Sequence, residues 1–229
     1  MIFPKSLKSD QSCKRDLVIG IDTSDTHLGV TILQNDKLIL QGEEPKKKGN
    51  DRLFPLIHEM FQDRNLSWDR MKVIGVCVGP GNFNGIRVGV SAARGLSLSL
   101  GIPAIGVDKF TAVALGYEDP LLITVKSVKD NFFARLGTSG QPFVATLNTL
   151  RLPATENLSV IGFEAEKIGA QFGLKYLAPK YNPSHSVAII SSSQVGLNHS
   201  PPKPFYVSPP RIDTSLGKLV NQMNPRRSN

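Results

Sequence analysis

Cysteine is scarce in this 229-residue chain, with only Cys13 and Cys77. That argues against a disulfide-stapled framework and fits a reducing compartment such as the cytosol. Cys77 lies inside an apolar run and reads as a small buried hydrophobe. Histidine is also sparse: His27, His58, His185 and His199 are the four, and no two stand i, i+4 on a helix. The cysteines lack zinc spacing, so no metal ligand set is legible. No apolar stretch approaches the roughly 20 residues that span a bilayer, so no membrane partner is expected. Residues 1–16 carry Lys5, Lys8, Lys14 and Arg15 without a continuous apolar core. This excludes a secretory leader and leaves organellar targeting open, although Asp10 and Asp16 are unusual for it.

What remains has ordinary globular composition, with 40% hydrophobic and 20% charged residues. The length admits one large domain or two small ones with a real core. The net charge of +8 suits a polyanionic neighbour such as RNA, and equally suits simple solubility.

The chain opens with β-rich runs at Leu17–Asp22, His27–Leu33 and Lys37–Leu40. Asn35-Asp36 between the last two is a hairpin signal. A helix is expected from Asn50 or Asp51, with Pro55 in its first turn and a stripe of Leu53, Leu56, Ile57, Met60 and Phe61. Val73–Val78 has the continuous apolar pattern of a buried strand. The loop 79–85 leads to a helix from Ile86 to Leu100, stopped by Gly101 and Pro103. A strand at Ala104–Val107 and a helix capped by Asp108 follow. The order β-β-β-α-β-α-β-α predicts a mixed sheet with helices on its faces. A second unit starts near Pro120 with paired strands at Leu121–Val125 and Asn131–Leu136. Signals weaken after Gly137, where Val187–Ile190 reads as a strand. No internal repeat is visible.

The loop Gly79-Pro80-Gly81-Asn82-Phe83-Asn84-Gly85 joins a buried strand to a helix N-terminus, where free N–H groups and the helix dipole attract anions. The phosphate fingerprints fail: Ile86 stands where a Walker loop has Lys, and Asn84 where a dinucleotide loop has Gly. A tight packed connection is the other reading of Gly79, Gly81 and Gly85. Asp22-Thr23-Ser24 at a strand end could orient a metal–phosphate group. The favoured reading is an Asp22 carboxylate bonded to its own turn. Ser91 sits in a sequence lacking the final Gly of a nucleophile elbow.

The helices say more. Leu53, Phe54, Leu56, Ile57, Met60 and Phe61 cover a wider arc than one sheet needs, with His58 among them. Gly85, Gly89, Ala92, Ala93, Gly95 and Ser97 leave the next helix small or apolar nearly all round, with Arg87, Ser91 and Arg94 along it. Such helices are buried on more than one side. Either a second domain covers them or they form a subunit interface. The interface reading assigns Leu53, Phe54, Ile57, His58, Phe61, Arg87, Ser91 and Arg94 to the partner contact.

Ile19-Gly20-Ile21-Asp22-Thr23-Ser24, Arg52-Leu53-Phe54-Pro55-Leu56-Ile57 and Gly79-Pro80-Gly81-Asn82-Phe83-Asn84-Gly85-Ile86-Arg87-Val88-Gly89, in that order, resemble the motifs of the bacterial TsaB family. Gly101–Val107 fits as well, and Pro204-Phe205-Tyr206-Val207 resembles the family's closing segment. The matched set runs from Leu17 to Leu136. The resemblance implies an α/β, actin/Hsp70-like ATPase fold of two ribonuclease-H-like lobes with mixed sheets. Residues 1–16 would be a basic extension, 17–119 the first lobe, and 120–229 a smaller divergent lobe with a basic tail.

The resemblance also implies a cytoplasmic role in making N6-threonylcarbamoyladenosine in tRNA. The chain would be a non-catalytic subunit with no catalytic residue, metal or cofactor of its own. It would pair through the two helices with its paralogue TsaD, which carries the metal and transfers the threonylcarbamoyl group. A small ATPase, TsaE, would join, with ATP or ADP at the complex interface and tRNA held through the complex. Homodimers would form when the partner is absent. Lys126-Ser127-Val128 departs from the family's Asp-Ala-Arg-like segment, and the N-terminal basic extension and the Lys46–Lys48 run lie outside its pattern, read as solvated loops or else as an aid in holding tRNA. The alternative is a self-sufficient ATP-dependent small-molecule kinase or ATPase of the same fold, using Asp22, Ser24, Gly79, Gly81 and Gly85. A metal peptidase fits poorly without a paired histidine motif.

Overall fold

A computed structural model describes residues 15–45 and 52–207. Most of the positive charge excess belongs to the other residues, among them Lys5, Lys8, Lys14, Lys46, Lys47, Lys48, Arg226 and Arg227; the described body is nearly charge-balanced.

Five strands form the first sheet: β1 (Leu17–Asp22), β2 (His27–Gln34), β3 (Lys37–Pro45), β4 (Met71–Gly79) and β5 (Ala104–Asp108). Their spatial order is β3-β2-β1-β4-β5. β1 pairs antiparallel with β2 and β2 with β3, whereas β4 is parallel to both β1 and β5. The expected hairpin is present: Asn35 and Asp36 both take positive φ, at 48° and 63°, as a two-residue turn between twisted strands requires. β3 runs on to Pro45, five residues past the expected end.

The second sheet holds β6 (Leu121–Lys126), β7 (Phe132–Leu136), β8 (Phe143–Ala145), β9 (Ser159–Gly162) and β10 (Lys175–Leu177), ordered β10-β9-β6-β7-β8. A three-strand antiparallel meander followed by two parallel strands repeats the plan of the first sheet. The structure is thus internally duplicated although the sequence shows no repeat, because the two lobes share topology and not residues.

Among the described residues α-helices α1 (Leu53–Asp63), α2 (Phe83–Leu100), α3 (Lys109–Ala114), α4 (Ala165–Phe172) and α5 (Pro183–Ser193) cover the sheets. Side chains alternate along β1, so Leu17, Ile19 and Ile21 pack with α1 and α2 while Val18 packs with α3 and α5. Arg52 precedes α1 without a side-chain cap, and the expected caps Asn50 and Asp51 lie outside the described residues. α2 begins three residues before the expected Ile86, because Asn82 caps it by accepting from the Gly85 amide at 2.8 Å. Gly101 ends it at φ 61°, and Asp108 caps α3 through the Thr111 amide at 3.0 Å.

Val187–Ile190 is helical, not a strand. Asn182 caps α5 and Pro183 occupies its first turn, while the four-residue apolar run is compatible with either period. α5 packs on β1, β2 and β4 of the first sheet. A Cβ on Gly20 would lie 2.2 Å from the Ser184 carbonyl oxygen and 2.6 Å from the Ala188 nitrogen. The bare strand backbone is what lets α5 come so close.

Candidate functional site

Asp22 ends β1 and is buried. Its Oδ1 accepts from the Ser24 amide at 2.9 Å and from the Ser24 hydroxyl at 2.6 Å. This is the local turn expected from the sequence. Its Oδ2 accepts a hydrogen bond from the ammonium of Lys109, the first residue of α3, which is also buried. Burial pushes the Asp22 carboxyl up, but the Lys109 charge and the Lys109 and Ser24 hydrogen bonds outweigh it and hold the group below the usual carboxylate range. Burial likewise opposes the charged form of Lys109, and Asp22 reverses that, holding Lys109 above its ordinary value. Sequence reasoning missed Lys109, a lysine at the head of an apolar helix.

The glycine loop is filled by the protein itself. A Cβ on Gly81 would lie 2.1 Å from the Ser24 carbonyl oxygen, and the Asn82 amide donates to that oxygen at 2.6 Å. The Gly85 carbonyl accepts from the Thr23 hydroxyl at 2.7 Å. Gly79 has φ 101°, and a Cβ there would lie 2.8 Å from the Phe205 carbonyl oxygen. Phe205 in turn donates its amide to the Val78 carbonyl at 2.8 Å, so the 204–207 segment straps the end of β4. Gly79 and Gly81 thus have close neighbours that a Cβ would meet, and Gly85 accepts from Thr23 through its carbonyl. The fold family implies a nucleotide, but these residues do not fit its phosphates and cation: both Asp22 oxygens are bonded within the chain, and the loop backbone is packed against Ser24 and Phe205.

Beyond the loop a cleft of about 440 Å³ opens between the two lobes. Phe83 and Tyr206 line it in ring contact, with centroids 5.1 Å apart, and Lys126 and Ser127 line it as well. Asp25 is the sole carboxylate among its lining residues, which include no histidine or cysteine. The neighbouring Cys77 is no nucleophile, because burial and then the Asp22 charge push its thiol up to about 12. The cleft offers a binding surface lined by Phe83, Tyr206, Asp25 and Lys126. Among the described residues no group of three His, Cys, Asp or Glu could hold a metal, and no helix is long and apolar enough to cross a membrane.

The second candidate surface is the outer face of α1 and α2. Leu53, Ile57 and Phe61, assigned from the sequence to the partner contact, are instead core residues at 1%, 0% and 5% exposure. They turn toward the sheet, and Phe61 stacks on Trp68 at 4.2 Å. Phe54, His58, Arg87, Ser91 and Arg94 are exposed. Phe54 is 52% exposed and, with Val88, Ser91, Ala92, Gly95 and Leu96, lines an open groove of about 550 Å³. No described residue of the second lobe lines it.

A family model described as TsaD, tRNA N6-adenosine threonylcarbamoyltransferase, matches residues 43–134. The chain is 33% identical over 98 residues to the tRNA threonylcarbamoyladenosine biosynthesis protein TsaB of Bacillus subtilis strain 168, covering 42% of this chain and 43% of that protein. It is 29% identical over 99 residues to the TsaB protein of Buchnera aphidicola subsp. Schizaphis graminum, covering 43% and 47%. The matches thus span less than half the length of these curated relatives. The fold follows that of an uncharacterised Pseudomonas aeruginosa protein with similarity to peptidase YeaZ, with a TM-score of 0.66 and 14% identity, over 84% of this chain and 100% of that one. The two mixed-sheet lobes are those of the actin/Hsp70-like ATPase fold. Sequence relatives, family model and fold agree that the chain is similar to the TsaB and TsaD proteins over somewhat less than half of its length.

Proposed function

We propose that the chain is a non-catalytic scaffold and activator subunit in the synthesis of N6-threonylcarbamoyladenosine in tRNA. It pairs through the outer face of α1 and α2 with a paralogue resembling the threonylcarbamoyltransferase. A TsaE-like ATPase and tRNA join through that complex. The observation that carries the reading is the uncovered groove between α1 and α2, with Phe54 half exposed at its rim and small residues Ser91, Ala92 and Gly95 along it. Small residues let a second helix pair approach closely, and an exposed aromatic beside a groove is the usual anchor of an interface. The internally bonded Asp22 and the packed glycine loop support a structural role for the end of β1 rather than phosphate chemistry.

Calorimetric titration of the purified TsaD-like paralogue into this chain tests the reading. The account expects saturable one-to-one binding that Phe54→Asp weakens by at least about 30-fold, the scale of a lost interface anchor. Absence of binding by the wild-type chain contradicts it.

A further inference from the structure

The chain passes between the lobes at two places. The first crossing is α3, which leads from β5 to β6; the second leads from β10 into α5. The two are tied to each other. The Tyr117 hydroxyl donates to the Ala178 carbonyl at 2.7 Å, and the Lys180 ammonium donates to the Gly116 carbonyl and lies 4.6 Å over the Tyr117 ring. Arg135 of β7 adds bonds to Asp108 and Thr111 at the head of α3, at 3.0 and 3.1 Å. Two crossings side by side make a hinge. They fix where the lobes meet and leave rotation about that line to whatever else bridges them.

The segment 204–207 is such a bridge. Phe205 is partly buried and packs on two apolar clusters. One holds Val78, Ile86 and Val90 of the first lobe; the other holds Phe110 of α3 with Leu121, Ile123 and Val125 of the second sheet. Among the described residues Phe205 alone is common to both. Val207 packs on the second cluster, and Tyr206 is in ring contact with Phe83 at the start of α2. The polar hold on this segment is slight. Among the described residues the bond from the Phe205 amide to the Val78 carbonyl, at 2.8 Å, is the one hydrogen bond of 201–207. A segment outside any sheet, held by one backbone bond and a partly buried ring, opens locally at far lower cost than the strands beneath it.

We propose that residues 204–207 are a clasp that sets the angle between the lobes. Seated, Phe205 fills the seam between the two clusters and holds the cleft at its present width. Released, its ring leaves both clusters, the lobes turn about the paired crossings, and the cleft widens and uncovers the Val78 carbonyl and Gly79. The device is independent of the pairing through α1 and α2.

Distances between spin labels on the two rims of the cleft read the clasp directly. Thr26 on the first lobe and Asp130 on the second are exposed, so Thr26→Cys/Asp130→Cys in a Cys13→Ser background places one label on each, while Cys77 is buried. Pulsed dipolar spectroscopy of the full chain should give one narrow distribution with Phe205 in place. Phe205→Ala should broaden it and lengthen its mean by at least about 5 Å, what a rotation of about 15° gives at about 20 Å from its axis. Phe205→Leu, which still reaches both clusters, should stay close to the parent distribution. An unchanged distribution in a folded Phe205→Ala chain overturns the proposal. If Phe205→Ala does not fold, native-state amide exchange of the wild-type chain decides. The Phe205 amide should exchange through a local opening, at least about 100-fold faster than the amides of β1 and β4. Exchange of Phe205 at the rate of those strands shows a segment that leaves only on global unfolding, and that also overturns the proposal.

Discussion

Lys109 at the start of α3 donates to the carboxylate of Asp22 at the end of β1, and both side chains are buried. In this fold a free carboxylate at that strand end would be open to a cation. Here an ammonium from the same chain answers it, so the pair ties the start of α3 to the end of β1.

Breaking one side of a buried pair leaves an uncompensated charge. Lys109→Met or Asp22→Asn should each lower unfolding stability by about 3–5 kcal/mol. The double variant Asp22→Asn/Lys109→Met should recover much of that loss, as read by urea denaturation at neutral pH.

The pH dependence has two limbs. Asp22 has a folded pKa below its unfolded value of about 3.9, so its contribution is complete above that pH and is lost as pH falls through the lowered folded value. Lys109 has a folded pKa above its unfolded value of about 10.4, so its contribution is complete below that pH and is lost as pH rises through the raised folded value. The stability difference between wild type and the double variant should therefore be flat from mildly acid to mildly alkaline pH and shrink at both extremes.

Phe54 and Phe61 sit on one helix and should behave oppositely. Phe54→Asp changes a half-exposed side chain and should leave the melting curve close to wild type. Phe61→Asp places a carboxylate in the core beside Trp68 and should unfold the chain or cost several kcal/mol, about 3 or more. Circular dichroism melts decide the point.

The first lobe is largely legible in the sequence because its signals are local. Asn35-Asp36 marks the hairpin, Asp108 the cap of α3 and Gly101 the end of α2. The interface residues are only half legible. Helical periodicity says that α1 is apolar over a wide arc, but it cannot say whether Phe54 or Phe61 faces the sheet. The Asp22–Lys109 pair spans 87 positions, and no local pattern reports it. α5 misleads because four apolar residues fit either period. The Asn182-Pro183 start and the bare strand backbone at Gly20 are the signals that point to the helix.

Gly20 of β1 and its register partner Gly75 of β4, both facing α5, give a graded test. Gly20→Ala drives a Cβ into the backbone of α5 and should cost about 1–3 kcal/mol or more. Gly75→Ala meets first the Ser191 hydroxyl, at 2.3 Å, a buried atom with no hydrogen-bond partner among the described residues. Gly75→Ala should therefore be milder, and Ser191→Ala should relieve part of its cost.

Cys77 should be inert in the folded chain. In a Cys13→Ser background no thiol should react with a disulfide reagent at neutral pH until denaturant is added, consistent with its pKa of about 12.

The central claim is that the chain works through its paralogue and not by chemistry of its own. Reconstituted modification of tRNA tests it most directly, with the TsaD-like and TsaE-like proteins, the adenylate-forming enzyme, threonine, bicarbonate, ATP and unmodified tRNA. Threonylcarbamoyladenosine would be measured with wild-type chain, with Phe54→Asp and with none. The account predicts product only with the wild-type chain, and with Phe54→Asp close to the level without it. Equal product in the absence of the chain would contradict it.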